Sequence, residues 1–262
     1  MRRIHLFEFT DLSWYPHIFR RIQTDYLQFV ATRGSGQKNL IPLLVKAMQY
    51  TGEMEIVDFC SGGTGPWLWL QEQFKLAGLS VNIKLTDKYP SPDAFQRWAD
   101  GSQLRIEYLL EPIDALKVPP GLKGMRTFFE AFHHFKPEQA KSILLDAVEK
   151  RVAIGIFEIS LKPPFEGMLL LLSPLMTLVS YLLLTPFITP RTWQRFLWTY
   201  LVPLVPLVTC WDGIISFLRR YSLKELKELT EPLQLNDYAW EMGLASTGTP
   251  IFEYTYLIGY PI

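Results

Sequence analysis

The sequence has few of the residues that mark several common protein classes. Only two cysteines occur, Cys60 and Cys210, which excludes a disulfide framework, and no Cys/His cluster has the spacing of a zinc site, so no metal site is predicted. The basic and acidic residues balance at 26 each, and a net charge of zero argues against a nucleic-acid partner. Near the N-terminus, Glu8 and Asp11 interrupt any apolar core of a signal peptide. We therefore expect a cytoplasmic protein.

Apolar residues make up 48% of the chain, but they are unevenly distributed. No charged side chain occurs between Glu166 and Arg191, and none occurs between Arg195 and Asp212. The rest of the chain has the mixed composition of an ordinary globular domain. The sequence therefore predicts a globular domain that carries an apolar helical insertion at residues 161–215.

From Glu55 onward, short apolar runs alternate with amphipathic segments, which is typical of a parallel α/β sheet. The hairpin pattern near the C-terminus predicts two further, antiparallel strands, and Ser222 with Glu225 predicts a capping box at a helix start. Predicted strands cover residues 55–59, 81–86, 104–108, 125–129, 152–159, 238–245 and 251–260. We expect three parts, namely an N-terminal helical cap (1–50), a Rossmann-like core (51–160 and 216–262) and the insertion (161–215).

A glycine cluster follows the first predicted strand and precedes a predicted helix. Such a turn lets a ligand approach the backbone closely and presents unpaired amide groups to it. Asp58 ends this strand, Asp87 ends the second, and Asp114 follows the third. A carboxylate at the position of Asp87 can accept hydrogen bonds from both hydroxyls of a ribose. Each aspartate alone suits a helix cap equally well, but the three in register favour a nucleotide-like ligand.

This order of strands, glycine turn and acidic residues resembles the class I S-adenosylmethionine-dependent methyltransferases, over residues 50–160 and the C-terminal hairpin. The resemblance implies a Rossmann-like, seven-stranded, mostly parallel sheet with an antiparallel C-terminal hairpin, and S-adenosyl-L-methionine as cofactor. It implies that Asp87 binds the ribose, while Ile113 and Asp114 flank the adenine. The turn that faces the methionine part would comprise Asp58, Ser61, Gly62, Gly63 and Gly65.

The turn departs from the family pattern, because Cys60 occupies the position of the first glycine, and this indicates an extra residue in the turn. A nicotinamide dehydrogenase is the competing interpretation, since Asp87 also suits the ribose of NAD. Gly63 and Gly65 supply the first two glycines of Gly-x-Gly-x-x-Gly, but Leu68 replaces the third. Because no Tyr-x-x-x-Lys pair offers a proton donor either, methyl transfer is favoured.

Two adjacent histidines, His133 and His134, follow the fourth predicted strand and are the candidate catalytic residues. Imidazole titrates near neutral pH and suits the general base that an oxygen acceptor requires. Packing of His133 against the cofactor and helix capping by His134 are the structural alternatives. Glu130 and Glu158 are further candidates for the base.

The N-terminal segment is unusually aromatic. Helices before the first strand often cover the cofactor pocket in the family that the chain resembles. Trp14 and Tyr15 are therefore predicted to close over the substrate, with packing of the N-terminal helix onto the sheet as the alternative.

The apolar insertion is long enough to cross a bilayer of ~30 Å, but several features argue against simple spanning. Pro174 and Pro186 interrupt it, and the C-terminal hairpin must rejoin the same sheet. Arg191 and Arg195 would lie at the far tip of an inserted loop, which is costly in hydrocarbon. We favour a helical hairpin at the interface of the inner membrane face, through residues 167–211, or a lid over the acceptor pocket. A buried helical pair or a dimer contact is the alternative.

Two functions from different classes follow. The first is S-adenosylmethionine-dependent methyl transfer to a hydrophobic small-molecule or lipid-like acceptor. The second is a non-catalytic Rossmann-like protein that uses the insertion as a membrane-binding or partner-binding module.

Overall fold

The computed structural model describes residues 3–31, 36–90 and 105–262. Within these residues, a seven-stranded sheet has the order β3-β2-β1-β4-β5-β7-β6. Strands β1 to β5 pair in parallel, whereas β7 is antiparallel to both β5 and β6. This confirms the predicted Rossmann-like α/β sheet with its antiparallel hairpin. The strands are β1 Glu55–Asp58, β2 Asn82–Leu85, β3 Ile106–Tyr108, β4 Met125–Phe129, β5 Ile154–Leu161, β6 Tyr238–Ser246 and β7 Phe252–Pro261.

The described helices lie before and between the strands. Ser222 caps α8 through the predicted capping box with Glu225. The helix bounds are α1 His17–Ala31, α2 Ile41–Thr51, α3 Trp67–Leu76, α4 Pro137–Glu149, α5 Glu166–Leu184, α6 Trp193–Phe196, α7 Leu204–Arg219 and α8 Leu223–Thr230.

Two apolar clusters form because neighbouring strand residues point to opposite faces of the sheet. Val57 belongs to the cluster that contains residues of α4 and α8, whereas Ile56 belongs to the cluster with residues of α2 and α3. Both side chains are at most 1% exposed. The sheet is therefore covered on both faces, which leaves the carboxyl edge of its parallel strands as the place for a ligand.

The apolar insertion packs on the N-terminal helix rather than standing apart from the domain. Tyr26 of α1 stacks on Tyr181 of α5 with ring centroids 4.1 Å apart. Arg195 forms a buried ion pair with Asp25 of α1 and donates to the carbonyl of Ile188 at 2.7 Å. The carboxylate on α1 therefore holds Arg195 inside the protein at 2% exposure.

The opposite face of the insertion is apolar and exposed. Leu171 is 80% exposed and Leu183 is 65% exposed, both on α5. Among the described residues, the segment Leu170–Phe187 is long and apolar enough to cross a membrane by length and composition. The helices Trp193–Leu201 and Leu204–Arg219 pass the same test only as a pair, bent by 73°.

Candidate functional site

The glycine turn after β1 is held by the backbone and side chain of Asp58. Thr127 on β4 donates to Asp58 Oδ1 at 2.7 Å, and the Ser61 hydroxyl donates to Oδ2 at 2.6 Å. Three turn residues have positive φ: Cys60 at 58°, Gly62 at 59° and Gly65 at 51°. Only glycine adopts this conformation without strain, so two of the three glycines are required by the turn itself. The third, Gly63, has little space for a side chain.

The space at Gly63 is limited because a side chain from α1 lies against it. A Cβ added at Gly63 would lie 3.0 Å from Oε1 of Gln28. The Gln28 amide accepts from the backbone N–H of Thr64 at 3.0 Å and donates to the carbonyl of Gly65 at 3.0 Å. Sequence reasoning missed this residue, since its role depends on how α1 docks against the turn.

Asp58 is 2% exposed, and this burial controls its ionisation. Burial raises the pKa of the Asp58 carboxyl to about 7, although the hydrogen bonds from Ser61 and Thr127 favour the charged form. An additional cation beside it, such as a ligand ammonium, would stabilise the carboxylate. The ionisation of Asp58, at the base of the turn, therefore depends on the charges placed near it.

Asp87 connects the end of β2 to the glycine turn. Its Oδ2 accepts from the backbone N–H of Gly62 at 2.8 Å, and its Oδ1 accepts from that of Tyr89 at 2.7 Å. Each carboxylate oxygen keeps a second lone pair for a ligand hydroxyl. The predicted juxtaposition of Asp87 with the glycine turn is present in the structure.

Ile113 and Asp114 have different surroundings. The backbone N–H of Ile113 donates to the backbone carbonyl of Asp87 at 2.9 Å, so the two residues are neighbours in the fold. The Asp114 carboxylate pairs with Lys88 at 2.9 Å and accepts from the N–H of Leu116 at 3.0 Å. These partners give Asp114 a structural role in its loop in addition to any contact with a ligand.

The two histidines lie in a short helical turn after β4, and carboxylates hold both. Nδ1 of His133 is 2.7 Å from Glu158 Oε2, and Nδ1 of His134 is 2.6 Å from Asp11 Oδ1. Burial lowers the pKa of His133 well below its usual value. Burial acts in the same direction on His134, but the negative charges of Glu8 and Asp11 outweigh it and raise the pKa of that side chain. The pKa values of the two adjacent imidazoles are therefore shifted in opposite directions.

Glu8 and Asp11 come from the N-terminal segment. Arg219 binds both carboxylates and holds them beside the histidines. The guanidinium of Arg219, 1% exposed at the end of α7, donates to Glu8 Oε1 at 3.0 Å and to Asp11 Oδ2 at 2.6 Å. It also donates to the backbone carbonyl of His134 at 2.9 Å. Sequence reasoning treated Glu8 and Asp11 only as charges that interrupt an apolar segment.

The candidate catalytic residues and all the candidate cofactor residues except Asp58 border one cavity of about 1050 Å³. Trp14 and Tyr15 are not among its lining residues: Trp14 is 68% exposed, and the buried Tyr15 hydroxyl donates to Gln23 at 2.9 Å. Contact between these two side chains and a substrate stays a prediction. The predicted site residues that line the cavity are Ser61, Gly62, Gly63, Gly65, Asp87, Ile113, Asp114, His133 and His134.

Comparison with known proteins supports the fold. No protein-family model and no curated protein sequence matches the chain. The plantazolicin methyltransferase BpumL, solved with SAH, matches 95% of this chain and 91% of its own length at 11% identity, with a TM-score of 0.50. An O-methyltransferase family 2 protein from Planctomyces limnophilus, solved with apigenin, matches 95% of this chain and 63% of its own length at 12% identity, with a TM-score of 0.55. The chain has the fold of these methyltransferases.

Proposed function

We propose that the protein transfers a methyl group from S-adenosylmethionine to an acceptor bound in the same cavity. The observation that carries this proposal is the meeting of the glycine turn with Asp58 and Asp87 at the carboxyl edge of the sheet. Its residues fit the cofactor: Asp58 suits the ammonium, Asp87 suits the ribose hydroxyls, and Ile113 offers an apolar side chain to the adenine. The absence of a Cβ at Gly63 keeps the turn open beside Gln28.

Methyl transfer requires little covalent chemistry from the protein. S-adenosylmethionine, when bound, supplies an activated methyl group on its sulfonium. The protein aligns the acceptor for in-line attack and excludes water. The cavity slightly exceeds the usual range for small-ligand pockets, ~300–1,000 Å³, which is consistent with two ligands. His133 and His134 form its polar end and stay the candidate catalytic residues.

We propose a hydrophobic small molecule or a lipid-like molecule as the acceptor. Apolar side chains of α1 and α7 line the cavity beside its polar end, among them Ile18, Leu27, Val30 and Phe217. The insertion packs against α1, and α7 begins within the insertion. An apolar body with one polar reacting group matches this arrangement.

Cofactor binding is tested by thermal shift and calorimetry with S-adenosylmethionine, S-adenosylhomocysteine and NAD. A bound cofactor stabilises the fold by mass action. We expect the first two ligands to stabilise the protein, and Asp87→Ala and Gly63→Val to abolish that stabilisation. Asp237→Ala, which removes an exposed carboxylate paired with Arg151, is the control and keeps it. Stabilisation by NAD alone would contradict the proposal.

Transfer itself is tested with radiolabelled S-adenosylmethionine and panels of phenols, fatty acids and extracted lipids. We expect label in an apolar product. Cofactor binding without transfer to any hydrophobic acceptor would instead favour the non-catalytic binding module.

We also propose that the exposed face of α5 rests on a membrane surface. Leu171 and Leu183 on this helix are 80% and 65% exposed, and Trp193 of the same insertion is 69% exposed, as is common at a lipid interface. Flotation with liposomes tests this: Leu171→Glu and Leu183→Glu together should abolish binding. Leu76→Glu, at a 76% exposed position on α3, should leave it unchanged. The intact protein could instead form a dimer and not float with liposomes. If the paired substitutions then abolish the dimer, the face binds a second copy of the chain.

A further inference from the structure

Three side chains from two distant parts of the chain converge at the polar end of the cavity. Nε2 of His133 lies 3.6 Å from Glu8 Oε1, and Nε2 of His134 lies 3.8 Å from Glu8 Oε2. One atom from each of these residues lies within 4.8 Å of the other two. The methyl-transfer proposal does not require this convergence.

The surroundings of His133 leave one lone pair without a partner. Glu158 accepts the backbone N–H of His133 at 3.0 Å and lies 2.7 Å from its Nδ1, which assigns the ring proton to Nδ1. Nε2 is then a hydrogen-bond acceptor, and it is buried with no partner. It faces the Glu8 carboxylate, which also only accepts. Two buried acceptors that face each other are stabilised by a cation between them.

The remaining contacts hold the same three residues in place. A carboxylate lies against Nδ1 of each histidine, Glu158 for His133 and Asp11 for His134. This is the usual outer-shell partner of a metal-bound imidazole, because it fixes the tautomer and leaves Nε2 for the metal. Arg219 donates to Glu8 Oε1 and thereby leaves Oε2 free of that guanidinium.

We propose that Glu8, His133 and His134 bind one divalent first-row transition-metal ion. Two imidazoles and one carboxylate form a set of ligands found for Zn²⁺ and for Fe²⁺, with positions left open for a further ligand. Metal–ligand bonds of about 2.0–2.1 Å in a tetrahedral site place neighbouring ligand atoms about 3.3–3.4 Å apart. The closest approaches here are 3.6 Å from His133 Nε2 to Glu8 Oε1 and 3.8 Å from His134 Nε2 to Glu8 Oε2, so a rotation of the Glu8 side chain has to bring one oxygen within that distance of both rings.

An ion at this place would face the cavity that the acceptor is proposed to enter. Resting on the proposed methyl transfer, we assign to its open positions the acceptor oxygen, whose proton a bound cation makes more acidic. Binding of the metal itself does not depend on methyl transfer, because Asp58, Asp87 and the glycine turn are separate from its ligands.

The test measures metal binding directly, without cofactor or acceptor. Untagged protein is stripped with EDTA, dialysed, titrated with Zn²⁺ and with Co²⁺, and analysed for metal content. Mg²⁺ and Ca²⁺ serve as comparators that prefer oxygen ligands. We expect one Zn²⁺ or Co²⁺ per chain, with a visible absorption band for Co²⁺ and no competition from Mg²⁺ or Ca²⁺.

Matched variants locate the ion. Glu8→Gln keeps an acceptor for Arg219, and His134→Ala removes a partly exposed ring, so each is designed to preserve the fold, which circular dichroism checks. Each should weaken Zn²⁺ binding by more than the ~10–100-fold that loss of an outer-shell partner costs. His5→Ala and His17→Ala, the other two histidines of the sequence, should leave it unchanged.

Absence of stoichiometric binding to the folded protein, or unchanged affinity in both Glu8→Gln and His134→Ala, would overturn the metal site. Failure of S-adenosylmethionine to bind would overturn the proposed function while leaving the metal titration as it is. The two proposals therefore fail in different assays.

Discussion

Gln28 provides a direct test of how the N-terminal helix shapes the glycine turn. Gln28→Ala removes an acceptor from the N–H of Thr64 and a donor from the carbonyl of Gly65, both at 3.0 Å. An unsatisfied buried polar group costs about 1–3 kcal/mol. Because water from the adjoining cavity can reach part of the turn, we expect the lower end for each group, about 2 kcal/mol in total. For a domain of this size that corresponds to a Tm lower by about 4–8 °C.

The effect on the cofactor distinguishes this role from simple loss of packing. Without Gln28 the turn is free to relax, so we expect S-adenosylmethionine to bind at least tenfold more weakly to the folded protein, or about 1.4 kcal/mol. Gln23→Ala is the matched control, since Gln23 lies on the same helix, is buried and also makes two hydrogen bonds, to Tyr15 and Asp212. It should lower the Tm without changing the cofactor affinity.

Scanning calorimetry measures the Tm of each variant, and titration calorimetry below that temperature measures its affinity for the cofactor. Gln28→Glu should have an intermediate cofactor affinity, because its carboxylate still accepts from the N–H of Thr64 but repels the carbonyl of Gly65. Equal cofactor affinity in the wild type and Gln28→Ala, alongside a normal loss of stability, would refute the reasoning that α1 positions the turn.

Two further predictions follow from buried charges. The pKa of Asp58 is about 7, and a cationic ligand binds the ionised form better. The Kd of S-adenosylmethionine should therefore rise about tenfold per pH unit below 7 and stay constant above it. Asp58→Asn should bind the ligand weakly, with a Kd that does not depend on pH in this range. The pH dependence of folding stability has the opposite direction. Between about pH 4 and 7 only the folded state keeps the proton of Asp58, so its contribution to the free energy of unfolding falls as the pH rises. Chemical denaturation at several pH values measures this change. Arg195→Met should cost about 3–5 kcal/mol by removing the guanidinium from the buried Asp25 carboxylate, and adding Asp25→Leu should restore part of it; a loss below 1 kcal/mol in the single variant would contradict the buried pair.

The sheet could be predicted from the sequence because its signals are local. The run from Glu55, the glycine turn and the hairpin pattern each depend on neighbours in the chain, and the strand β4 has the predicted bounds Met125–Phe129. The fifth strand shows the limit, since it runs from Ile154 to Leu161 rather than over 152–159. Pairing with β7 extends to Leu161, and that pairing is not a local property.

The features that sequence reasoning missed depend on contacts between distant segments. Glu8 and Gln28 come from the N-terminal part, and each reaches residues far along the chain, His133 and the glycine turn. Arg195 lies in an apolar stretch whose composition suggested a membrane, yet its partner Asp25 is on α1. No spacing rule within the insertion predicts such a partner, because the docking of the helices creates it.

The position of β7 has a consequence for how the chain is made. This strand lies between β5 and β6 but follows both in sequence, so β5 pairs on that side only after Phe252–Pro261 has been synthesised. During the interval, the open edge of β5 and the apolar helices that follow it are exposed together, a combination that favours aggregation. A chain interrupted before Phe252 should therefore be captured by chaperones or precipitate, even though all the residues of the proposed cofactor and metal sites have already been translated.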